Sequence, residues 1–428
     1  MAALIGLLIG AAAAPPTAWQ AAAQAPWTES AAWRAMARQR TASAAPHVLV
    51  SLDDAPRLRW AKVAPAFRQF VPGMMEYIRS EVPAWALPVL DVIGAAVRPY
   101  FGEEYGGEME GLAEALGMRT GYLVFLNLIM QVEEIGINCS NWNTTGPTRK
   151  DDPGCVDVDP TQSFCYCKKA VEAGGSFEAD GSLWLKKRKP ADGPGLCTSI
   201  VAQDPAGQIY HGRNLDWNMP EAVRKLIADV TFTRNGKAVF TGTGAIGFVG
   251  NFNGMVDGAY SVSINARGKG GKLLTNILQA LLHKSTTPCM HLRSVLTNEA
   301  NFTSAVAALS QGAQIDENYF IVAGVQPAEG AVIARGRAAA VDTWMLEPAE
   351  PNGWFRLETN YDHTNPVPVA DDRRTPGNAN MIAMGQVGLA RDSLKKVLLA
   401  FPTFNPHTDY TAVMIPKSGY YNSTIWMD

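Results

Sequence analysis

At 428 residues the chain can build one large or two medium hydrophobic cores, and its composition (47% hydrophobic, 18% charged) is that of an ordinary globular protein. The net charge of −3 gives no basic field for nucleic acid, so no nucleic-acid partner is expected. No run beyond the leader approaches the ~18 apolar residues of a membrane-spanning helix, so no span is expected there.

The first 25 residues have the composition of a secretory signal peptide. Ala2–Gly10 is an apolar core, and the alanines at 21–25 offer small-residue cleavage sites. No Lys or Arg precedes the core, so a disordered Ala-rich leader is the alternative. Four N-glycosylation motifs agree with entry into the secretory pathway, and they begin at Asn138, Asn143, Asn301 and Asn422.

Residues 46–137 are predicted to form an N-terminal segment that is mainly helical. A strand-like stretch, His47–Leu52, is followed by helical spacing of apolar residues through Trp60–Val63 and Met74–Ile78. Trp85–Val97 is unusually apolar for a surface helix. Packing into the core is one explanation of this stretch, and peripheral contact with a membrane is the other.

Residues 138–196 are polar and rich in Gly, Pro and Cys, which predicts an exposed insertion tied by disulfides rather than a core element. Four of the six cysteines crowd here, namely Cys139, Cys155, Cys165 and Cys167. In an oxidising compartment they would form two local bridges, whereas a four-thiolate zinc site is the alternative. Cys289 then remains as a buried or spare thiol. The basic run Lys186–Lys189 is a candidate site for trimming by another protease.

Residues 197–216 are predicted to form one β-hairpin that brings three chemically useful side chains together. The turn Asp204–Gly207 has Asp first, Pro second and Gly fourth, which favours a type I turn closed by a left-handed Gly. In that register Cys197 and Arg213 lie diagonally on the same face, within reach of a long side chain. Arg213 can favour a thiolate there, and Asp216 can hold an ammonium group or orient Arg213.

The remainder, 197–428, is predicted to be strand-rich with helices between the strands. Asn235-Gly236 marks a second hairpin. Helical patterns occur at about 272–284, 289–299, 303–310 and 391–400, and strand patterns at about 318–324, 330–335 and 353–359. Two sheets that pack on each other and are flanked by helices satisfy this mixture.

One glycine motif is a false signal for a cofactor. Gly242–Gly247 matches the dinucleotide fingerprint, but the residues after it cannot begin a helix and no βαβ unit surrounds it. The six histidines show no helical pairing that would suggest a metal site. We therefore expect neither a cofactor nor a metal.

Several motifs, in this order, resemble the acid ceramidase and N-acylethanolamine acid amidase family of N-terminal-nucleophile cysteine hydrolases. The matching stretches span about 46–420 and are Val50–Asp53, Leu58–Trp60, Cys197–Val201, Gly212–Asp216, Thr359–His363 and Asp371–Thr375. Asn-Leu-Asp at 214–216 and Tyr-Asp-His at 361–363 are more similar to the acylethanolamine branch. The resemblance implies an α+β fold, an αββα sandwich, with the mainly helical N-terminal segment as a separate α-subunit.

The resemblance also implies a mechanism. Self-cleavage between Leu196 and Cys197 would free an α-amine beside the thiol of the same residue, so that Cys197 supplies both nucleophile and base. Arg213 and Asp216 match residues that position the amine and the thiolate. Asn360 matches an oxyanion donor, and Arg373 matches an arginine near the site. The implied partner is a fatty acid amide, the implied product of self-cleavage is a heterodimer of two fragments, and the implied location is a lysosome, an acidic vacuole or the extracellular space.

Two departures from the family pattern leave alternatives open. Relatives run almost directly from helix to catalytic Cys without an insertion like 138–196, and Ala266 stands where the family carries an acidic residue before Arg267. The second departure suggests a rival hypothesis, a silent homologue that binds lipids without turnover. Ceramide is the alternative substrate. A papain-like protease is disfavoured because Cys197 lies on a hairpin rather than a helix.

Overall fold

The computed structural model describes residues 40–81, 87–129, 196–217, 219–267, 286–367 and 372–428, with residue 37 and short strands between 147 and 184. The leader, the helical pattern at 272–284 and most of the Cys-rich insertion lie outside the described residues. Predictions on those segments stay predictions.

The strands follow one another along the chain as β1 (Thr41–Ala44), β2 (His47–Ser51), β3 (Pro147–Arg149), β4 (Cys155–Val156), β5 (Phe164–Cys167), β6 (Ser176–Phe177), β7 (Leu183–Trp184), β8 (Leu196–Gln203), β9 (Ile209–Asp216), β10 (Ile227–Arg234), β11 (Lys237–Ala245), β12 (Asn253–Val256), β13 (Tyr260–Ala266), β14 (Asn318–Ala323), β15 (Gly330–Arg335), β16 (Ala340–Met345), β17 (Phe355–Glu358), β18 (Thr408–Ile415) and β19 (Tyr420–Met427). The helices are α1 (Val71–Glu81), α2 (Leu87–Val97), α3 (Gly102–Leu116), α4 (Thr120–Ile129), α5 (Glu221–Arg224), α6 (Pro288–Asn298), α7 (Phe302–Leu309), α8 (Arg374–Met384) and α9 (Arg391–Leu398).

Two large sheets organise the molecule. One has the strand order β1-β19-β18-β9-β8-β17, and the other has the order β16-β15-β14-β13-β12-β11-β10-β2. Residues 41–51 add an edge strand to each sheet, because β1 pairs with β19 and β2 runs parallel to β10. Within the insertion, β3 to β5 form a three-stranded sheet and β6 pairs with β7.

The two large sheets pack face to face, with helices on both outer faces. β8 contacts β13 and β14 across the interior, α6 contacts β12 and β13, and α9 contacts β9 and β18. α7 contacts β14 and α8 contacts β17, so among the described residues helices cover both outer faces. The predicted αββα sandwich is confirmed.

The β8–β9 hairpin has the predicted register. Gly207 is left-handed with φ +83°, and the Asp204 amide donates to the Gln208 carbonyl at 3.0 Å. Cys197 therefore pairs with Leu215 and Ser199 with Arg213, so Arg213 is diagonal to Cys197. The turn residues alone were sufficient to predict this arrangement.

Other elements agree with the patterns or correct them. The second hairpin turns at Asn235 and Gly236, both with positive φ, and helices begin at Pro288, Phe302 and Arg391. The helical interpretation of Trp60–Val63 was wrong, because those residues form turns between two short 3₁₀ helices. β12, β13, β16, β18, β19 and α8 had no predicted counterpart.

A buried ion cluster joins the N-terminal segment to the rest of the chain. Glu108 on α3 is fully buried and accepts hydrogen bonds from Arg59 at 2.6 Å, from Trp60 at 2.9 Å and from two nitrogens of Arg293 at 2.5 and 2.7 Å. Burial alone would raise the pKa of Glu108, but the Arg293 charge and these hydrogen bonds hold it below its usual value. We call these four residues the Glu108 cluster.

The apolar helix α2 is buried on one face only. Gly94 approaches Gly121 of α4 so closely that a Cβ at Gly94 would lie 2.2 Å from the Gly121 carbonyl oxygen. On the other side Val92 is 61% exposed. Core packing therefore explains one face of α2, and membrane contact at the other stays a prediction. In the part of the chain that the structure describes, we find no helix with the length and apolar character of a membrane span.

Candidate active site

Cys197 is the second residue of β8 and its thiol points into the layer between the sheets. The residue is 5% exposed. The Nη2 of Arg213 donates to the Cys197 Sγ at 3.2 Å, and the guanidinium is itself fixed by the Phe252 carbonyl at 2.8 Å and the Tyr410 hydroxyl at 3.4 Å. The predicted proximity of Cys197 and Arg213 is therefore present.

Burial raises the pKa of the Cys197 thiol above its usual value. The positive charge of Arg213 and the backbone N–H of Asp216 oppose that rise. The thiol is therefore held neutral, beside donors that would stabilise a thiolate.

Asp216 ends β9 directly opposite Leu196 and is fully buried. Its Oδ2 accepts a hydrogen bond from Asn405 at 2.7 Å and lies 3.8 Å from the Arg373 guanidinium. Its Oδ1 makes no hydrogen bond among the described residues. Burial raises the pKa of Asp216 to about 6, against the opposing effects of Arg373, Thr408 and Asn405.

Asn360 and Arg373 hold the main chain of Cys197. The Cys197 N–H donates to the Asn360 Oδ1 at 2.8 Å, and Arg373 donates to the same oxygen at 2.7 Å. Arg373 also donates to the Cys197 carbonyl and, at 3.3 Å, to the Thr198 hydroxyl. The structure thus brings all five predicted side chains together, with the Leu196–Cys197 peptide bond among them.

Ala266 contributes its main chain to the site. Its carbonyl accepts a hydrogen bond from the Asn360 Nδ2 at 2.8 Å. This contact does not need the acidic side chain that the family pattern places here. The next residue, Arg267, forms a two-pronged ion pair with Asp362 at 2.8 and 2.9 Å.

Sequence reasoning missed several polar residues that support the site. Asn405 contacts Asp216, and Tyr410 contacts Arg213. Glu358 is buried two residues before Asn360, and its Oε1 makes no hydrogen bond among the described residues. Burial raises the pKa of Glu358 to about 8. No motif marks these residues, and only the strand pairing of β17 and β18 with β8 and β9 places them. His363, by contrast, stacks on Trp344 and pairs with Asp342, in agreement with a structural role.

An apolar cavity adjoins the site at the junction of α1 and the strand-rich part of the chain. It is lined by Met74, Tyr77, Leu126, Trp217, Met219, Val223, Leu226, Ala245, Ile246, Phe248 and Phe252. Trp217 directly follows Asp216, and the carbonyl of Phe252 binds Arg213. Asp409 fixes this wall because it accepts the backbone N–H groups of Trp217 and Met219 at 3.0 Å each.

Within the described ranges, no three His, Cys, Asp or Glu side chains gather as a metal site. Gly242–Gly247 lies at the end of β11 and the turn after it, and β12 follows rather than a helix. The dinucleotide interpretation therefore gains no support from the structure.

Comparison with known families gives matches in both parts of the chain. Residues 43–101 match the family described as the beta subunit of N-acylethanolamine-hydrolyzing acid amidase. Residues 197–341 match the linear amide C–N hydrolases of the choloylglycine hydrolase family. The second match begins at Cys197.

Curated relatives extend the likeness over most of the chain. The chain is 34% identical over 370 residues to N-acylethanolamine-hydrolyzing acid amidase of Rattus norvegicus, covering 85% of this chain and 84% of that protein. The enzyme of the same name from Caenorhabditis elegans is 30% identical, with 89% of this chain and 93% of that protein covered. Acid ceramidase of Mus musculus is 26% identical, with 87% and 84% covered.

Proposed function

Since this chain belongs to the N-acylethanolamine-hydrolyzing acid amidase family, whose members hydrolyse linear amide C–N bonds, we propose that it cleaves N-acylethanolamines to a fatty acid and ethanolamine through Cys197. One observation carries the proposal. The sulfur of Cys197 is held by Arg213 at 3.2 Å, while the nitrogen of the same residue is held by Asn360 at 2.8 Å. Hydrogen bonds to both atoms suit a residue that uses its thiol as the nucleophile and its α-amine as the base.

Self-cleavage before Cys197 would start the enzyme. The Sγ attacks the carbonyl carbon of Leu196, the C–N bond to Cys197 breaks, and the thiol proton passes to the departing nitrogen. Water then hydrolyses the Leu196 thioester and leaves a carboxylate on Leu196, a free thiol and a free α-amine. Asp216 lies opposite Leu196 in the hairpin, so its unbonded oxygen is available to the new amine.

The mature amine then serves as the base for amide hydrolysis. It takes the thiol proton as Sγ attacks the substrate carbonyl, and it returns that proton to the departing ethanolamine nitrogen. Water then hydrolyses the thioester: the amine takes a proton from the attacking water and passes it to the departing sulfur, which restores the free thiol and releases the fatty acid. The reference pKa values, about 7.7–8.0 for an α-amine and about 8.5 for a thiol, make this exchange nearly balanced.

Asn360 and Arg373 stabilise this chemistry in our proposal. One N–H of the Asn360 amide is used by the Ala266 carbonyl, and the second can donate to the oxyanion. Removing one such donor typically raises the barrier by about 3–4 kcal/mol. Arg373, 3.8 Å from Asp216, keeps the carboxylate oriented beside the amine.

The lining of the apolar cavity supports a fatty acyl substrate, but its volume of about 40 Å³ is far below the roughly 300 Å³ of a small ligand pocket. Trp217 on its wall is covalently bonded to Asp216, and the carbonyl of Phe252 on its wall accepts a hydrogen bond from Arg213. An acyl chain that lies between α1 and this wall would exchange water for apolar contacts along its length. In this proposal the acyl chain enters here only after the side chains of α1 and of this wall move apart.

We also propose that the protein is processed in the secretory pathway and acts in a lysosome, an acidic vacuole or the extracellular space. The apolar leader and the four glycosylation motifs support this. One of these motifs, Asn301-Phe302-Thr303, lies at the exposed start of α7. Mass analysis of secreted protein before and after deglycosylation tests the proposal.

The test of function is Cys197→Ala, which we expect to abolish both self-cleavage and hydrolysis of a fluorogenic fatty amide. Cys289→Ala is the matched control, because Cys289 is the other buried free cysteine among the described residues and takes no part in the mechanism. Intact-mass analysis after acid incubation follows the cleavage, and N-terminal sequencing locates it. Turnover by Cys197→Ala, or an uncut wild-type chain that is inactive, would sink the proposal.

Ceramide is the second candidate substrate, since the mouse acid ceramidase matches over 87% of this chain. Kinetics on an acylethanolamide and a ceramide, measured side by side, decide between them. The main-chain contact of Ala266 with Asn360 argues against the silent homologue, because that contact survives the loss of the acidic side chain.

A further inference from the structure

A chain of buried hydrogen bonds crosses the layer between the two sheets beside the site. His211 Nε2 contacts the Ser263 hydroxyl at 2.9 Å, Ser263 contacts Ser199 at 2.9 Å, and Ser199 contacts the Asn265 Oδ1 at 2.9 Å. All four residues are fully buried. At the turn end of the hairpin the same layer is filled by apolar side chains such as Val201 and Ile321. The polar chain interrupts this apolar filling beside the β8–β9 hairpin.

The hydrogen bonds between these four side chains can run in only one direction, from His211 to Asn265. Both N–H groups of the Asn265 amide are used, since they donate to the carbonyls of Glu358 at 3.1 Å and Thr359 at 2.9 Å. The Oδ1 of Asn265 must accept, so Ser199 donates to it and Ser263 donates to Ser199. His211 must then donate from Nε2. Burial lowers the pKa of His211 to about 3, so the ring is neutral and its Nδ1 accepts from Ser261 at 2.9 Å.

Asn265 joins the strand of the nucleophile to the strand of the oxyanion donor. Ser199 is two residues from Cys197 on β8, while Glu358 and Thr359 immediately precede Asn360. A second anchor lies on the far side of Asn360. Arg374 donates to the carbonyls of Tyr361, Asp362, His363 and Asn365. The peptide groups on both sides of Asn360 are thus fixed.

We propose that Asn265 is a positioning residue, which sets the separation between Cys197 and the Asn360 amide by holding the two carbonyls before Asn360. The proposal rests on the proposed function and adds to it a residue that touches neither thiol nor substrate. A displacement of about 1 Å in a catalytic group can reduce a rate about 100-fold. Loss of a donor to these carbonyls should therefore reduce kcat and leave substrate binding intact.

The test is Asn265→Asp, which keeps the side-chain shape but leaves at most one donor for two carbonyls. Ser261→Ala is the matched control, since it removes one buried partner at the opposite end of the same chain. We expect kcat on the processed enzyme to fall about 10- to 100-fold for Asn265→Asp, with KM changed less than about threefold. For Ser261→Ala we expect a similar loss of Tm and a kcat within about twofold of wild type.

An unchanged kcat in Asn265→Asp, or equal losses of kcat in Asn265→Asp and Ser261→Ala, would overturn the proposal. If Asn265→Asp does not fold, Ser199→Ala decides, because it frees the Asn265 amide without removing its donors. A smaller fall in kcat at constant KM is then expected, and no fall overturns the proposal. Failure of the proposed function is distinguishable, because it appears as turnover by Cys197→Ala whatever Asn265 does.

Discussion

Two buried carboxylates in this molecule have opposite environments. Glu108 receives hydrogen bonds on both oxygens from Arg59, Trp60 and Arg293, and its pKa is lowered. Asp216 has one oxygen that makes no hydrogen bond among the described residues, and burial raises its pKa to about 6. Glu108, whose oxygens are all hydrogen-bonded, connects the N-terminal segment to the rest of the chain. Asp216, which has one oxygen without a hydrogen bond among the described residues, lies where self-cleavage would form a new amine. Incomplete satisfaction distinguishes the candidate site from a structural ion cluster.

The largest expected effect is on the Glu108 cluster. Glu108→Ala leaves the buried guanidiniums of Arg59 and Arg293 without their shared partner, which should lower the free energy of unfolding by about 3–5 kcal/mol. Activity per folded molecule should stay close to wild type. Urea unfolding measures the first quantity and active-site titration the second.

Glu114→Ala is the control on the same helix, because its partner Arg57 is exposed and such pairs contribute about 0–1 kcal/mol. Equal losses of unfolding free energy in Glu108→Ala and Glu114→Ala would contradict the prediction, because the buried cluster would then contribute no more than an exposed ion pair.

Asp216→Asn should show the opposite profile. The amide keeps the shape and removes a charge whose burial is unfavourable, so the free energy of unfolding should not fall. Self-cleavage and kcat should fall about 100-fold, in the range seen when one preorganised electrostatic contact is lost. Self-cleavage is followed by intact mass, and kcat is measured on whatever fraction is processed. A variant that loses stability and keeps its rate would place Asp216 with Glu108 as a structural group.

The third prediction concerns pH. Burial raises the pKa of Glu358 and of Asp409 to about 8 each, so between ~4 and 8 the native state keeps protons that the unfolded chain has lost. Their contribution to stability is present below pH ~4 and is lost as the pH rises through 8. The lowered pKa of His211, about 3 against 6.5, acts in the opposite direction but only below pH 6.5.

We therefore expect Tm to fall between pH 6.5 and pH 8, and Glu358→Gln to flatten that fall because a neutral amide replaces a neutral acid. Calorimetry at several pH values measures both curves. A Tm that rises over this interval, or a mutant with the same slope as wild type, would contradict the assignment.

The parts of the site that lie on one hairpin could be predicted from local sequence. Asp204, Pro205 and Gly207 fix the turn, and the period of two along β8 and β9 then places Arg213 on the face of Cys197. The predicted roles of these residues await the mutants.

The remaining parts depend on contacts that are distant in sequence. Asn360 reaches Cys197 only because β17 pairs with β8, and Asn405 reaches Asp216 because β18 pairs with β9. Resemblance to a family indicated Asn360 and Arg373, and it placed Asn265 in a matching segment without a role, but nothing in the sequence indicated Glu358 or Asn405. Isolated Asn and Glu residues occur throughout any chain, and their significance depends on the strand order.

Residues 41–51 contribute a strand to each of the two large sheets. β1 pairs with β19 at the edge of one sheet, and β2 pairs with β10 at the edge of the other. Cleavage of the backbone before Cys197 would not release these residues, because their dissociation would break the pairing of an edge strand in both sheets. The two fragments of the cleaved chain should therefore unfold as a single cooperative unit. Either fragment produced alone should expose unpaired edge strands that promote self-association.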